Sequence, residues 1–221
     1  MSIKTLPDLD NSLYPQVWEQ QSFESPQALL MALLTQRTSI EPLAFTKQLQ
    51  DNEAYQEWIN TSVFGRYIQR SFAAIYHQSE DSFNMDIPVL FRRELMRHAQ
   101  YLPPSQVLFV AGDMPKKARQ EKLLTTTLNP ATVIVGAKKL MSAQTVINQI
   151  RVTSKQVLGF PIRHNKRTSE RTRNEVLLLG FDDLRLVDEQ SIDKCFEKSS
   201  ESSSESSSTD RPILLRSYEL R

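Results

Sequence analysis

The chain is expected to be an α+β protein, with its helices first and its strands later. Three observations point that way. Before Pro103-Pro104, apolar residues recur at three- and four-residue steps; after it they come in short runs rich in β-branched residues; and only 5 of the 221 residues are glycine, none before Gly65. Helical stripes followed by strand runs indicate segregated elements rather than a βαβ alternation. The scarcity of glycine suits helices better than a hairpin-rich sandwich.

The elements follow in order. "SPQALLMALLTQ" (25–36) opens on Ser-Pro and is rich in helix formers, so it predicts a helix. From Glu53 to Tyr76, Phe64, Ile68, Phe72 and Ile75 lay one apolar stripe along a long helix. "IPVLFRRELMRHAQYL" (87–102) repeats the pattern with Phe91, Leu95 and Leu102, and Pro103-Pro104 stops it. "QVLFVAG" (106–112) and "KLLTTTLN" (122–129) predict strands, the second closed by a turn at Asn129-Pro130. "TVINQIRVT" (145–153) reads as a helix end running into a strand, and Gly159-Phe160-Pro161 as a turn. "EVLLLG" (175–180), "DLRLVD" (183–188) and "PILLRSYEL" (212–220) predict the last strands. The Ser/Glu run 197–210 has almost no apolar surface to offset ordering entropy and is expected to be disordered. Because "PILLRSYEL" beyond it reads as a core strand, that run is expected to be a loop inserted in the sheet.

Composition removes several function classes. Lys plus Arg number 27 against 26 Asp plus Glu, so no overall field draws the chain to nucleic acid or membrane, and any electrostatic function is local. The single cysteine, Cys195, excludes an internal disulfide framework and a Cys-based zinc cluster. No apolar run approaches the roughly 20 residues of a membrane span. The start, "MSIKTLPDLDNSLYP", has no apolar segment of a Sec-type leader, so the expected location is cytoplasmic, or a host cell reached without that signal. His77, His98 and His164 show no metal-ligand spacing, and there is no GxSxG, P-loop or GxGxxG motif. No metal is expected.

A basic loop remains. Arg163, Lys166, Arg167, Arg171 and Arg173 crowd it, with Glu170 the one acid among them. It reads either as a solvated hairpin tip or as a positive patch for phosphate, an acidic protein surface or nucleic acid. Few aromatics interleave with it, which disfavours base stacking. Glu175 follows at the mouth of "VLLL", as a solvated strand-edge charge or as a carboxylate fixed at the head of a rigid strand.

The order of these pieces resembles the mono-ADP-ribosyltransferases. That family runs from a strand bearing Arg-Gly, through a Ser-Thr-Ser strand, to a polar loop ending in "ExEVLL" or "QxEVLL", whose last Glu is catalytic. "LLTTTLNPATV" is similar to the second strand, "RNEVLLLGFDDLRLVD" to the catalytic strand and its successor, and "PILLRSYEL" to the closing strand. The resemblance covers roughly residues 55 to 221. It implies a split antiparallel sheet after a helical region (1–54), with residues 55–221 forming the ADP-ribosyltransferase-like domain. It also implies NAD as the small-molecule partner and a protein as substrate; the Ser/Glu run and the start without a Sec-type segment fit a bacterial effector that modifies a host protein. Glu175 would be catalytic. Thr125, Thr126 and Thr127 would orient it and line the NAD site with Ala111, Gly112 and Phe160, while Arg163, Lys166, Arg167, Arg171 and Arg173 would meet the target.

The chemistry makes these residue types sensible. Cleaving the nicotinamide–ribose bond develops an oxocarbenium-like cation, as glycoside cleavage does. A fixed carboxylate stabilises such a charge electrostatically. Two departures stand out: Ala111 occupies the place of the strand arginine, and Arg173 the place of the Glu or Gln two residues before the catalytic acid. Three functions follow: ADP-ribosyl transfer to a protein, a transfer-inactive module gripping an acidic partner through the basic loop, or NAD hydrolysis.

Overall fold

The computed structural model describes residues 3–18, 21–60, 89–140, 142–163, 169–192 and 211–221. Four short helices come first: α1 (Leu9–Leu13), α2 (Pro26–Leu34), α3 (Pro42–Asp51) and α4 (Glu53–Ile59), with a two-stranded ribbon of β1 (Gln16–Trp18) and β2 (Gln21–Phe23) between α1 and α2. Their starts are set by side-chain caps. Asp8 accepts from Asn11 N, Ser25 from Ala28 N ahead of Pro26, and Asn52 from Tyr55 N, each satisfying an amide that the first turn leaves without a partner.

Helix α5 (Val89–His98) leads into an eight-stranded mixed sheet: β3 (Gln100–Tyr101), β4 (Val107–Ala111), β5 (Leu123–Thr127), β6 (Thr145–Val152), β7 (Leu158–Pro161), β8 (Glu175–Leu179), β9 (Leu184–Ile192) and β10 (Ile213–Leu220). Two further helices, α6 (Ala118–Glu121) and α7 (Pro130–Lys139), flank β5, and a 3-10 turn (Ser169–Thr172) precedes β8. The strand order is β3-β7-β8-β5-β4-β6-β10-β9, antiparallel throughout except for β6 with β10.

One seam divides this sheet. β5 pairs with β8 over five positions and β4 with β6 over five, but β4 meets β5 at the single pair Phe109–Thr127. Beyond that pair, Val110-Ala111 and Thr125-Thr126 keep their outer partners in β6 and β8 but do not pair with each other. The sheet is therefore split into two half-sheets that part at its centre, in keeping with the α+β split-sheet expectation.

Three apolar clusters hold the halves. Leu9, Phe45, Leu49 and Trp58 of the N-terminal helices pack on Leu108, Leu124, Val176, Leu178 and Tyr218. Leu30, Leu34, Val133 and Ala137 of α2 and α7 cover Phe109, Ile147 and Leu215. Leu95 of α5 covers Leu123, Phe160, Leu177 and Leu179. The boundary expected at 54/55 falls inside α4, and the first cluster joins residues on both sides of it.

Several local expectations are corrected. Residues 145–152 are strand throughout: Asn148, which blurs the alternation, is buried and donates to Val110 O and Gly112 O from within the sheet. Gly159-Phe160-Pro161 belongs to β7, with Pro161 at the strand end beyond the reach of β3, where its missing N–H breaks no ladder with that neighbour. Asn129-Pro130 is the capped start of α7, Asn129 Oδ1 accepting from Ala131 N and Thr132 N. The helix expected to Leu102 ends at His98, because Tyr101 pairs with Leu158 and Leu102 N donates to Val157 O. The stripe Phe64, Ile68, Phe72 and Ile75 and the Ser/Glu run lie outside the described residues.

Candidate active site

Where the half-sheets part, they open a cleft of about 480 Å3. Val110 and Ala111 of β4 form one wall and Thr125, Thr126 and Thr127 of β5 the other; Thr132, Val133, Gly136 and Lys139 of α7 contribute, as do Thr172, Arg173 and Glu175. The close seat of α7 depends on Gly136, since a Cβ there would lie 3.3 Å from the Ala111 Cβ.

Glu175 begins β8 directly opposite Thr127 and is only 8% exposed. Directly opposed residues of an antiparallel pair share a face, so Glu175, Thr127 and Thr125 present to the same side. The Arg173 guanidinium stands 3.7 Å from Glu175 Oε1. That is an ion pair, longer than the usual N–H···O hydrogen bond. Glu175 O accepts from Ile162 N, which ties the strand head to the chain beyond β7.

The backbone just before Glu175 is gripped carbonyl by carbonyl. Thr172 O accepts from Asn129 Nδ2 and Thr132 Oγ1, Arg173 O from Thr127 Oγ1, and Asn174 O from Leu128 N. Asn174 is left-handed at φ 45°, a conformation asparagine tolerates better than most residues. Its buried side chain accepts from Thr46 Oγ1 at 2.7 Å and from Asn129 Nδ2 at 3.0 Å. Helix α3, the cap of α7 and the end of β5 thus fix one loop.

Ala111 and the three threonines line one cleft with Glu175. Thr126 and Thr127 direct their hydroxyls to the carbonyls of Val176 and Arg173. A hydroxyl has one proton to donate, so these two position the strand and loop rather than donating to the Glu175 carboxylate. Gly112 lies beyond the cleft lining, closing β4 at φ +77° with its N–H on Val146 O. Phe160 is fully buried beneath α5, opposite Leu177, and contributes core rather than cleft surface. The basic loop divides: Arg173 faces the cleft, whereas Arg163 and Arg171 line a second hollow of about 170 Å3 with Gln50, Asp51 and Tyr55. Burial raises the Tyr55 hydroxyl pKa, against smaller lowering effects from Asn174 and Arg163. Lys166 and Arg167 lie outside the described residues.

Sequence reasoning missed Asn129, Asn174, Thr46, Thr132 and Lys139. One signal was available: Asn-Pro ahead of "ATVIVGAKK" is an N-cap followed by a first-turn proline as readily as a turn. Among the described residues no group of His, Cys, Asp or Glu could hold a metal ion, and no helix is long and apolar enough to cross a membrane.

No protein-family model matches the chain, and no curated protein matches it. Two solved structures are similar in shape. One is the ADP-ribosyltransferase Vis in complex with agmatine, at 9% identity and a TM-score of 0.49, with 86% of this chain and 90% of that one covered. The other is the Vis toxin, an ADP-ribosyltransferase from Vibrio splendidus, at 8% identity and a TM-score of 0.41, with 91% and 88% covered. Likeness at this level assigns no role to any residue, and the functional reading rests on the cleft itself.

Proposed function

We propose that this chain is an NAD-dependent mono-ADP-ribosyltransferase acting on a protein target, with Glu175 as its catalytic residue. The observation that carries the reading is the position of Glu175: a nearly buried carboxylate at a strand head, opposite Thr127, on a cleft formed where two half-sheets part. A cleft of about 480 Å3 is within the range of roughly 300–1,000 Å3 typical of small-molecule sites. Val110, Ala111 and Val135 supply apolar surface for a flat ring, and the threonine strand supplies a polar edge. NAD would bring a ribose carbon already bonded to a cationic leaving group.

The chain's residues account for the rest. Glu175 is held by a backbone whose carbonyls are satisfied on every side, so its charge needs no reorganisation as positive charge develops on the sugar. Glu175 is itself nearly buried, which strengthens that interaction. Arg163 and Arg171 would meet the protein target, and the sequence puts Lys166 and Arg167 in the same basic loop.

Ala111 favours a second reading. With no cation on β4, the cleft could belong to a module that has lost transfer and grips an acidic partner through the basic loop. Incubation of wild type and Glu175→Gln with labelled NAD and a cell lysate, plus calorimetry with NAD, separates the two. The enzyme reading expects transfer that falls at least about a hundredfold in Glu175→Gln, the scale of one lost electrostatic contact. Absence of transfer, hydrolysis and NAD binding leaves the second reading. Activity that changes less than about threefold, under ~0.7 kcal/mol, removes Glu175 from the catalytic role.

A further inference from the structure

We propose that Arg173 and Lys139 together form an anion subsite in the cleft that takes the diphosphate of a dinucleotide, a task for which β4 offers no cation. The inference rests on the cleft being the NAD site and names the residues that hold the ligand's charged middle.

The charge inventory of the lining motivates it. Among the described residues that line the cleft, Lys139, Arg173 and Glu175 are the charged ones, two cations to one acid. An uncharged or cationic ligand gains nothing from that excess, whereas a diphosphate carries two negative charges and paired oxygens. The cations come from different elements, the last turn of α7 and the loop before β8. Ala111, on the opposite strand, contributes only a methyl group.

Arg173 is also prepared for the task. Its carbonyl is held by Thr127 and that of its neighbour Thr172 by Asn129 and Thr132, so the side chain leaves a fixed stem and loses less freedom on binding. Its ion pair with Glu175 Oε1, at 3.7 Å, is longer than a charge-assisted hydrogen bond. A diphosphate offers the guanidinium paired oxygens in bidentate geometry. As the guanidinium turns to the phosphates, Glu175 loses part of its counter-charge and can act more fully on the sugar. Lys139 is exposed on the outer end of its helix and adds a point charge that needs no fixed geometry.

The test uses the full chain and two probes that need no turnover, inorganic pyrophosphate and ADP, in calorimetry at low and moderate salt. Wild type should bind both, more weakly as salt rises. Arg173→Ala and Lys139→Ala should each weaken binding about tenfold or more, while Lys138→Ala, one residue along α7 and outside the cleft lining, should stay within about twofold; tenfold is 1.36 kcal/mol. Thermal melts accompany each variant. Should Arg173→Ala melt early, Arg173→Gln and Lys139→Ala carry the comparison. Absence of pyrophosphate and ADP binding, or equal binding by all variants, overturns the subsite. So does a Glu-rich peptide that competes for these cations when pyrophosphate does not. NAD transfer measured in parallel separates the two claims. Transfer undiminished in Arg173→Ala leaves the enzyme standing without this subsite, and cation-dependent pyrophosphate binding without any transfer leaves an anion site without the enzyme.

Discussion

Thr127 faces Glu175 across the β5–β8 ladder, and its hydroxyl donates to the carbonyl of Arg173, two residues before that Glu. The same oxygen accepts from Asn129 N at 3.0 Å. One side chain therefore joins the strand, the loop that delivers the carboxylate and the cap of α7.

Replacing that hydroxyl by a methyl group tests its role. Thr127→Val keeps the volume and the β-branch but leaves a buried carbonyl and a buried amide without their partner. The expected loss is about 1–3 kcal/mol of stability in urea unfolding. Thr127→Ser retains the hydroxyl and should recover most of it. Transfer activity should fall with Thr127→Val by more than the folded fraction alone explains, because the loop holding Glu175 loosens. A Thr127→Val protein as stable as wild type would mean that backbone pairing alone fixes the loop.

Asn174 gives a prediction with an unusual order. At φ 45° alanine pays roughly 1–2 kcal/mol for the left-handed conformation, whereas glycine does not. Both lose the Oδ1 acceptor used by Thr46 and Asn129. Asn174→Gly should therefore be the milder change, despite the greater flexibility glycine gives the unfolded chain. Comparing unfolding midpoints of the two variants settles it. A more stable Asn174→Ala would show that the loop relaxes out of the left-handed region once its side chain is gone.

These two residues also mark what could be read from sequence. "EVLLL" and "LLTTT" were legible as strands because each is an apolar or β-branched run, buried on both faces and bounded by polar residues. β7 was not, since "LGFP" carries a Gly and a Pro and becomes strand only through the burial of Leu158 and Phe160 under α5. The single-pair seam between β4 and β5 has no local signature in either strand. Asn129 and Asn174 lie 45 residues apart, so their contact belongs to the tertiary structure alone. The charge of the basic loop was plain, but its division between two hollows depended on where the backbone turned before Glu175.

Asp10 supplies a pH dependence remote from the cleft. Its carboxylate accepts from Val107 N and Gln106 Nε2, both at 2.7 Å, and so ties α1 to the start of β4. Although the residue keeps some accessible surface, its carboxylate is enclosed. Burial pushes its pKa up from 3.8 to about 7, with a small further rise from Asp8, against lowering by the two hydrogen bonds and by Arg151. A folded pKa above the unfolded one means that the folded chain binds more protons between those values. The contribution is thus fully present below about pH 4, is lost as pH rises toward 7 and changes little beyond it. Asp10→Asn removes the titration. Its amide oxygen can still accept from Val107 N, and Gln106 can turn its buried Oε1, which has no partner, toward the new amide. The difference in unfolding free energy between Asp10→Asn and wild type should therefore grow in favour of the variant from pH 4 to 7 and then level off. A difference that stays constant across that range would mean that Asp10 titrates alike in the folded and unfolded chains.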